Sequence, residues 1–243
     1  MKHLKTILGA VVLTLALACT KNHEGDHGQV SFLLAGNFEI ADQTRSNVSE
    51  FTALPSAGDF TITLTDASGT AVWTGLISEW DVATLLPAGL YTVAATYGDI
   101  EDEGFDKPYF AGSAEFEVLG KQSTPVSINV SLANTVIMVS CTDSFKNYYK
   151  DYSFSLQRDG RTLASFDKDD TRGAFIDGYK VSIYGSITGS GKTQTFTKDY
   201  TGLNEATAYT IVFDASNVGA GAITISFNNT VETVELGDLE LND

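Results

Sequence analysis

Histidine is almost missing from this sequence, and its few positions exclude a good deal of chemistry. There are 3 histidines in 243 residues. His3 lies in an apolar leader, and His23 and His27 follow within a few residues of it. The body beyond them has none, which removes Ser-His-Asp and Cys-His catalytic groups and His-based zinc sites from it. Basic residues are also scarce: 15 Lys and Arg face 31 Asp and Glu, for a formal charge of -16 and a pI near 4.4. Such a field repels phosphate backbones, so nucleic acid is excluded as a partner. Only two cysteines occur, Cys19 and Cys141. If Cys19 is acylated, no intramolecular disulfide can form. Long hydrophobic runs are missing too: the longest, Ile7 to Ala18, falls well short of the roughly 20 residues that span a bilayer.

What is present at the N-terminus gives a destination. "MKHLKTILGAVVLTLALAC" joins Lys2 and Lys5 to that apolar run and stops at Cys19, the pattern of a secretory signal. Ala18 before Cys19 and Leu15 four places before it resemble a bacterial lipobox, although Ala16 stands where leucine is usual. Residues 1–18 are expected to be the signal peptide, with Cys19 the lipidated N-terminus of the mature chain. The alternative is an ordinary signal peptide cut near Ala18 that leaves Cys19 free. Acyl chains on Cys19 would anchor the protein in a membrane. Residues 19–28 are read as a flexible tether, and "HEGDH" within it as a solvated spacer.

From residue 29 onward the dominant pattern is alternation. Phe60, Ile62 and Leu64 alternate with threonines, Tyr91, Val93 and Ala95 with Thr92, Ala94 and Thr96, and Val126, Ile128, Val130 and Leu132 with Ser127, Asn129 and Ser131. Each is a half-buried strand. Turn signals such as "DASG", "LPAG", "RDG" and "VGAG" separate them at the short intervals of an antiparallel sandwich. Helical period is confined to "SEWDVATLL" and to Phe145, Tyr148, Tyr149 and Tyr152, both read as single turns. Ile137, Val139 and Cys141 share one face of a strand, which makes Cys141 a buried, inert thiol.

The chain also repeats itself. "DFTITLTDASGTAVW" matches "DYSFSLQRDGRTLASF", "LYTVAATYG" matches "GYKVSIYGS", and "SAEFEVLGKQSTPVSINVSL" matches "QTFTKDYTGLNEATAYTIVF". The expected fold is therefore all-β: two tandem immunoglobulin-like or transthyretin-like antiparallel β-sandwich domains, 29–133 and 134–243.

Candidate sites are few. "GSITGSGKT" (185–193) ends like a phosphate-binding loop, but the required first glycine falls at Ser186, and the "KTQTFTKDY" that follows reads as a strand. Without a helix N-terminus there is no phosphate cradle, so no nucleotide is expected. "GDIEDEGFDKPYF" gathers Asp99, Glu101, Asp102, Glu103 and Asp106 beside Tyr109 and Phe110. These seven residues are the candidate ligand or calcium loop, since oxygen-rich loops suit calcium and exposed aromatics suit a sugar face. The acidic set lacks EF-hand spacing and also reads as a solvated loop. "DKDDTRG" (167–173) is a weaker version of it. No metal centre, no cofactor and no catalytic residue are expected.

"LLPAGLYTVAATYGD", "GFDKPYFAGSAEFEV", "PVSINVSLANTVIMVSC" and "FKNYYKDYSFSL" resemble a domain-of-unknown-function family of Bacteroidota lipoproteins, similar in style to fimbrillin-like surface proteins. The resemblance covers roughly residues 28 to 230. It implies a lipid-anchored location at the outer membrane, facing outward at the cell surface, but brings no established activity; the leading expectation is a non-enzymatic surface protein for adhesion or for binding a glycan or protein ligand. For fimbrillin-like relatives it also implies an alternative: a structural subunit that polymerises by strand donation after cleavage at an N-terminal arginine. Arg45 in "ADQTRSNVSE" occupies a comparable place and is the candidate processing site.

Overall fold

A computed structural model describes residues 26–41, 47–189, 191–215, 222–227 and 230–235. Cys19, His23 and Arg45 lie outside them. Strands dominate because the alternating segments can bury one side only by pairing into sheets. They are β1 (His27–Asn37), β2 (Thr61–Asp66), β3 (Ala71–Leu76), β4 (Leu85–Pro87), β5 (Gly89–Tyr97), β6 (Gly104–Phe105), β7 (Phe110–Val118) and β8 (Ser123–Leu132) in the first half. The second half holds β9 (Thr135–Cys141), β10 (Asp151–Arg158), β11 (Arg161–Phe166), β12 (Ala174–Ile176), β13 (Lys180–Gly189), β14 (Lys192–Thr201), β15 (Ala208–Asp214), β16 (Ala222–Phe227) and β17 (Thr230–Glu235). A six-residue helix, α1 (Asp143–Tyr148), is capped by the Thr142 hydroxyl, which accepts from the Phe145 amide.

The sheet order reproduces the sequence repeat strand for strand. β3-β2-β5-β7 in the first half corresponds to β11-β10-β13-β14 in the second. β1 runs parallel to β8 and antiparallel to β4, as β9 runs parallel to β15 and antiparallel to β12. Each half is thus a four-stranded antiparallel layer facing a second layer built on its own first strand. In the first half the two layers belong to one seven-stranded sheet, folded over where β7 meets β8 at only Phe110↔Leu132 and Ala111↔Ser131. Phe32 on β1 then reaches across the fold to Phe116 on β7, with ring centroids 6.0 Å apart.

The second half elaborates the same unit. β16 and β17 extend the sheet beyond β15, and β6, a strand of the first half, pairs with β12 at the other side. Alternation on β9 serves two interiors. Ile137 and Val139 face the core of the second half, while Val136 and Met138, with Phe175 and Ala208, join the core of the first. Strand pairing and apolar packing therefore both cross the boundary expected near Ala133.

Candidate functional site

The loop singled out for its carboxylates is split by the fold. Glu103 has a side chain only 1% exposed, and its carboxylate accepts two bonds of 2.7 Å from Arg158 Nη1 and one of 2.9 Å from the Asp177 amide. Arg161 adds a second cation at 3.1 Å. Arg158 in turn donates to the carbonyls of Lys180 and Asp177. A carboxylate engaged this way holds the halves together and has little left for an external cation. Asp99, Glu101, Asp102 and Asp106 stay at the surface, Asp102 paired with Lys107 at 2.7 Å. The Tyr109 amide donates to Asn134 Oδ1, and Phe110 is fully buried. The seven candidates therefore do not converge as a set: Asp99, Asp102 and Asp106 line one concavity of about 320 Å³ beside Lys107, while Glu101, Glu103, Tyr109 and Phe110 lie outside it. Among the described residues, no group of three or more His, Cys, Asp or Glu is placed to hold a metal ion.

The glycine-rich stretch is a hairpin. Gly189 opposes Lys192 at the β13–β14 turn, and Gly191 adopts a left-handed φ of 76°. Gly185 lies under Phe196, where an added Cβ would come within 2.3 Å of the ring. Packing and turn geometry account for both glycines.

A further concavity lies elsewhere, at the free side of β9. β12 pairs with β9 only from Thr135 to Ile137, so among the described residues Met138 to Cys141 continue without a paired strand on that side. A cavity of about 350 Å³ opens there, floored by Val139, Phe154 and Phe166 and walled by Tyr152 and the 167–171 loop. Its rim is polar. Lys146 pairs with Asp169, Lys168 sits 5.3 Å over the Tyr152 ring, and Asp170 is gripped by Arg172 at 2.7 Å. The Arg172 hydrogen bonds hold the Asp170 carboxyl below the usual carboxylate range. Cys141 also lines the cavity, and burial pushes its thiol up to about 12. At neutral pH it is a thiol and not a thiolate, so it contributes shape and not nucleophilicity.

This cleft was not legible as a site. "DKDDTRG" reads as a second acidic loop and Tyr152 as part of a short helical turn. The available signal was the repeat, because the 167–173 segment stands where the first copy has "ISEWDVAT" (77–84). A smaller groove of about 320 Å³ lies between β14 and β15, lined by Tyr200, Tyr209 and Phe227.

Residues 26–238 match the family described as Domain of unknown function (DUF4493). No curated protein matches the sequence. Among solved structures, a fimbrial assembly protein from Parabacteroides distasonis is similar at a TM-score of 0.49 and 9% identity, over 86% of this chain and 99% of that one. The fimbrial anchor protein Mfa2 from Porphyromonas gingivalis is similar at 0.46 and 10%, over 84% and 98%. A candidate adhesin from Bacteroides ovatus is similar at 0.45 and 8%, over 88% and 96%.

Proposed function

The chain belongs to the DUF4493 family, and we propose that it is a non-enzymatic, lipid-anchored protein of the outer membrane that presents its second half to a ligand at the cell surface. The observation that carries this reading is the direction of the chain. Asp26 and His27 are tied to the first half by bonds from Ala88 N and Lys121 N, at 2.9 and 2.7 Å. Six residues, spanned in seven Cα–Cα steps, link Asp26 to Cys19, a reach of at most about 25 Å, so an acylated Cys19 keeps this pole close to the bilayer. β1 and β8 both run away from it in parallel, over roughly 30 Å, and the chain passes into the second half at the far end. Exposed Leu85, Leu90 and Leu119 surround the anchored pole, where contact with lipid would cover them. The aromatic-floored cleft belongs to the outer half.

Mass spectrometry of the protein from its own cells tests the anchor: a mature N-terminus at acylated Cys19 is expected. Protease accessibility on intact cells tests the orientation. A chain that is unacylated, or shielded in intact cells and cut only after lysis, is incompatible with this reading.

A second reading is favoured by the seat of β1. This strand precedes Arg45 and occupies its own slot between β8 and β4, with Val30 fully buried. Cleavage after Arg45 would allow β1 to leave and open that slot to a strand from another copy. A mature terminus at Ser46, together with ladders of polymer on gels, would replace the first reading by this one.

A further inference from the structure

The duplicated fold shows what fits the cleft. In the first half, the turn after β3 carries Trp80 into the interior at 8% exposure. Its indole N–H donates to the Val30 carbonyl at 2.9 Å, just past the last β1–β4 pair, Gln29↔Leu85. The ring meets Phe32 and Trp73 edge-on, with centroids 5.1 Å away in both cases. Trp80 thus closes the side of β1 that short β4 leaves uncovered.

The second half has the same short partner strand and the same uncovered side, but the matching turn is Asp167 to Gly173, which carries no aromatic. Val136 N and Thr142 N both bond toward β15. By the alternation of backbone groups along a strand, Val139 directs its N–H and C=O to the open side, as Val30 does. The cavity lies there, over Val139, Phe154 and Phe166. Resting on the reading of the second half as the ligand-presenting part, we infer that this cleft receives an aromatic side chain bearing a ring N–H, a tryptophan on a partner polypeptide, which occupies in the second half the place Trp80 occupies in the first. The ligand is then a protein and not a glycan. The indole lies on the aromatic floor with its N–H toward Val139 O, and the Lys146–Asp169 pair and Thr171 border it.

The test is a titration of the mature protein with N-acetyl-tryptophanamide, N-acetyl-phenylalaninamide and methyl glucopyranoside, followed by amide NMR shifts. Tryptophanamide is expected to move Val139, Ser140, Cys141 and Thr171 saturably. Phenylalaninamide, lacking the ring N–H, should bind about tenfold more weakly. Thr171→Trp, which supplies the missing plug from the exposed rim, should abolish the shifts and raise the thermal midpoint, whereas Thr171→Ala should leave binding intact. Equal affinity for the two amides, or tryptophanamide shifts that persist in Thr171→Trp, would overturn the inference. So would shifts at these residues from the pyranoside alone, which would assign the cleft to sugars. The amide comparison needs no variant and stands even if Thr171→Trp misfolds. A protein that lacks an acylated Cys19 but binds tryptophanamide would separate failure of the anchor from failure of the cleft.

Discussion

Glu103 is an acidic residue in an acidic run, and nothing in "GDIEDEGFD" sets it apart from its neighbours. Its partners lie 55 and 58 positions later, in Arg158 and Arg161, a separation that local pattern does not encode. The alternating residues were legible because burial follows a period that the sequence prints directly. Glu103 was not, because its burial depends on which strand the fold brings over it. Arg158→Ala would leave this carboxylate buried with its bidentate partner gone, and a loss of about 3–5 kcal/mol is expected, measured by urea denaturation. Asp170 makes a second prediction at this scale. Its folded pKa is lowered by Arg172 from 3.8, so its contribution is present above about pH 4 and is lost as pH falls through the folded value. The urea midpoint of Asp170→Asn should therefore lie below that of the native protein at pH 7 and approach it at pH 3.

At the scale of elements, the two halves differ most where one closes and the other stays open. β7 and β8 approach so tightly that a Cβ on Gly112 would lie 1.9 Å from the Asn129 carbonyl oxygen. Gly112→Ala should cost about 1–3 kcal/mol by forcing this corner apart, read as a lowered denaturation midpoint. Gly104 serves a different need: its φ of 138° starts β6 on its way into the second half's sheet. The turn at "SEWDVATLL" was legible as a turn, from its brief helical period. The inward course of Trp80 was not, because a single aromatic in a short turn carries no periodicity. Trp80→Ala should cost about 3–5 kcal/mol. Trp80→Phe keeps a ring but strands the Val30 carbonyl, so a smaller loss of about 1–3 kcal/mol is expected. The ordering of these two variants in denaturation midpoint tests whether the indole N–H contributes beyond packing.

At the scale of the molecule, the sequence repeat showed which segments of the two halves correspond but not how firmly the halves are joined. Repeats are compared within themselves, whereas the joint uses residues that have no counterpart in the other copy: β6, Glu103 and the outward side of β9. Val136, Met138, Phe175 and Ala208 are buried in the first half's core although they lie on second-half strands. Unfolding the second half alone would uncover this surface, break the β6–β12 ladder and strand Glu103 without its arginines. Each of these costs works against an intermediate with one half folded, so the two halves should unfold in a single transition. Both tryptophans, Trp73 and Trp80, lie in the first half, which makes their fluorescence a probe of that half. Amide exchange or NMR intensity at Ile183 and Ile211, both fully buried in the second core, reports on the other. Coincident urea transitions from the two probes are expected. Arg158→Ala, by releasing the joint, should be the variant in which they begin to separate, with the second half melting first because its two layers, unlike β7 and β8, share no strand ladder at the β14–β15 corner among the described residues. Two separated transitions in the unmodified protein would show instead that the shared core is too small to couple the halves.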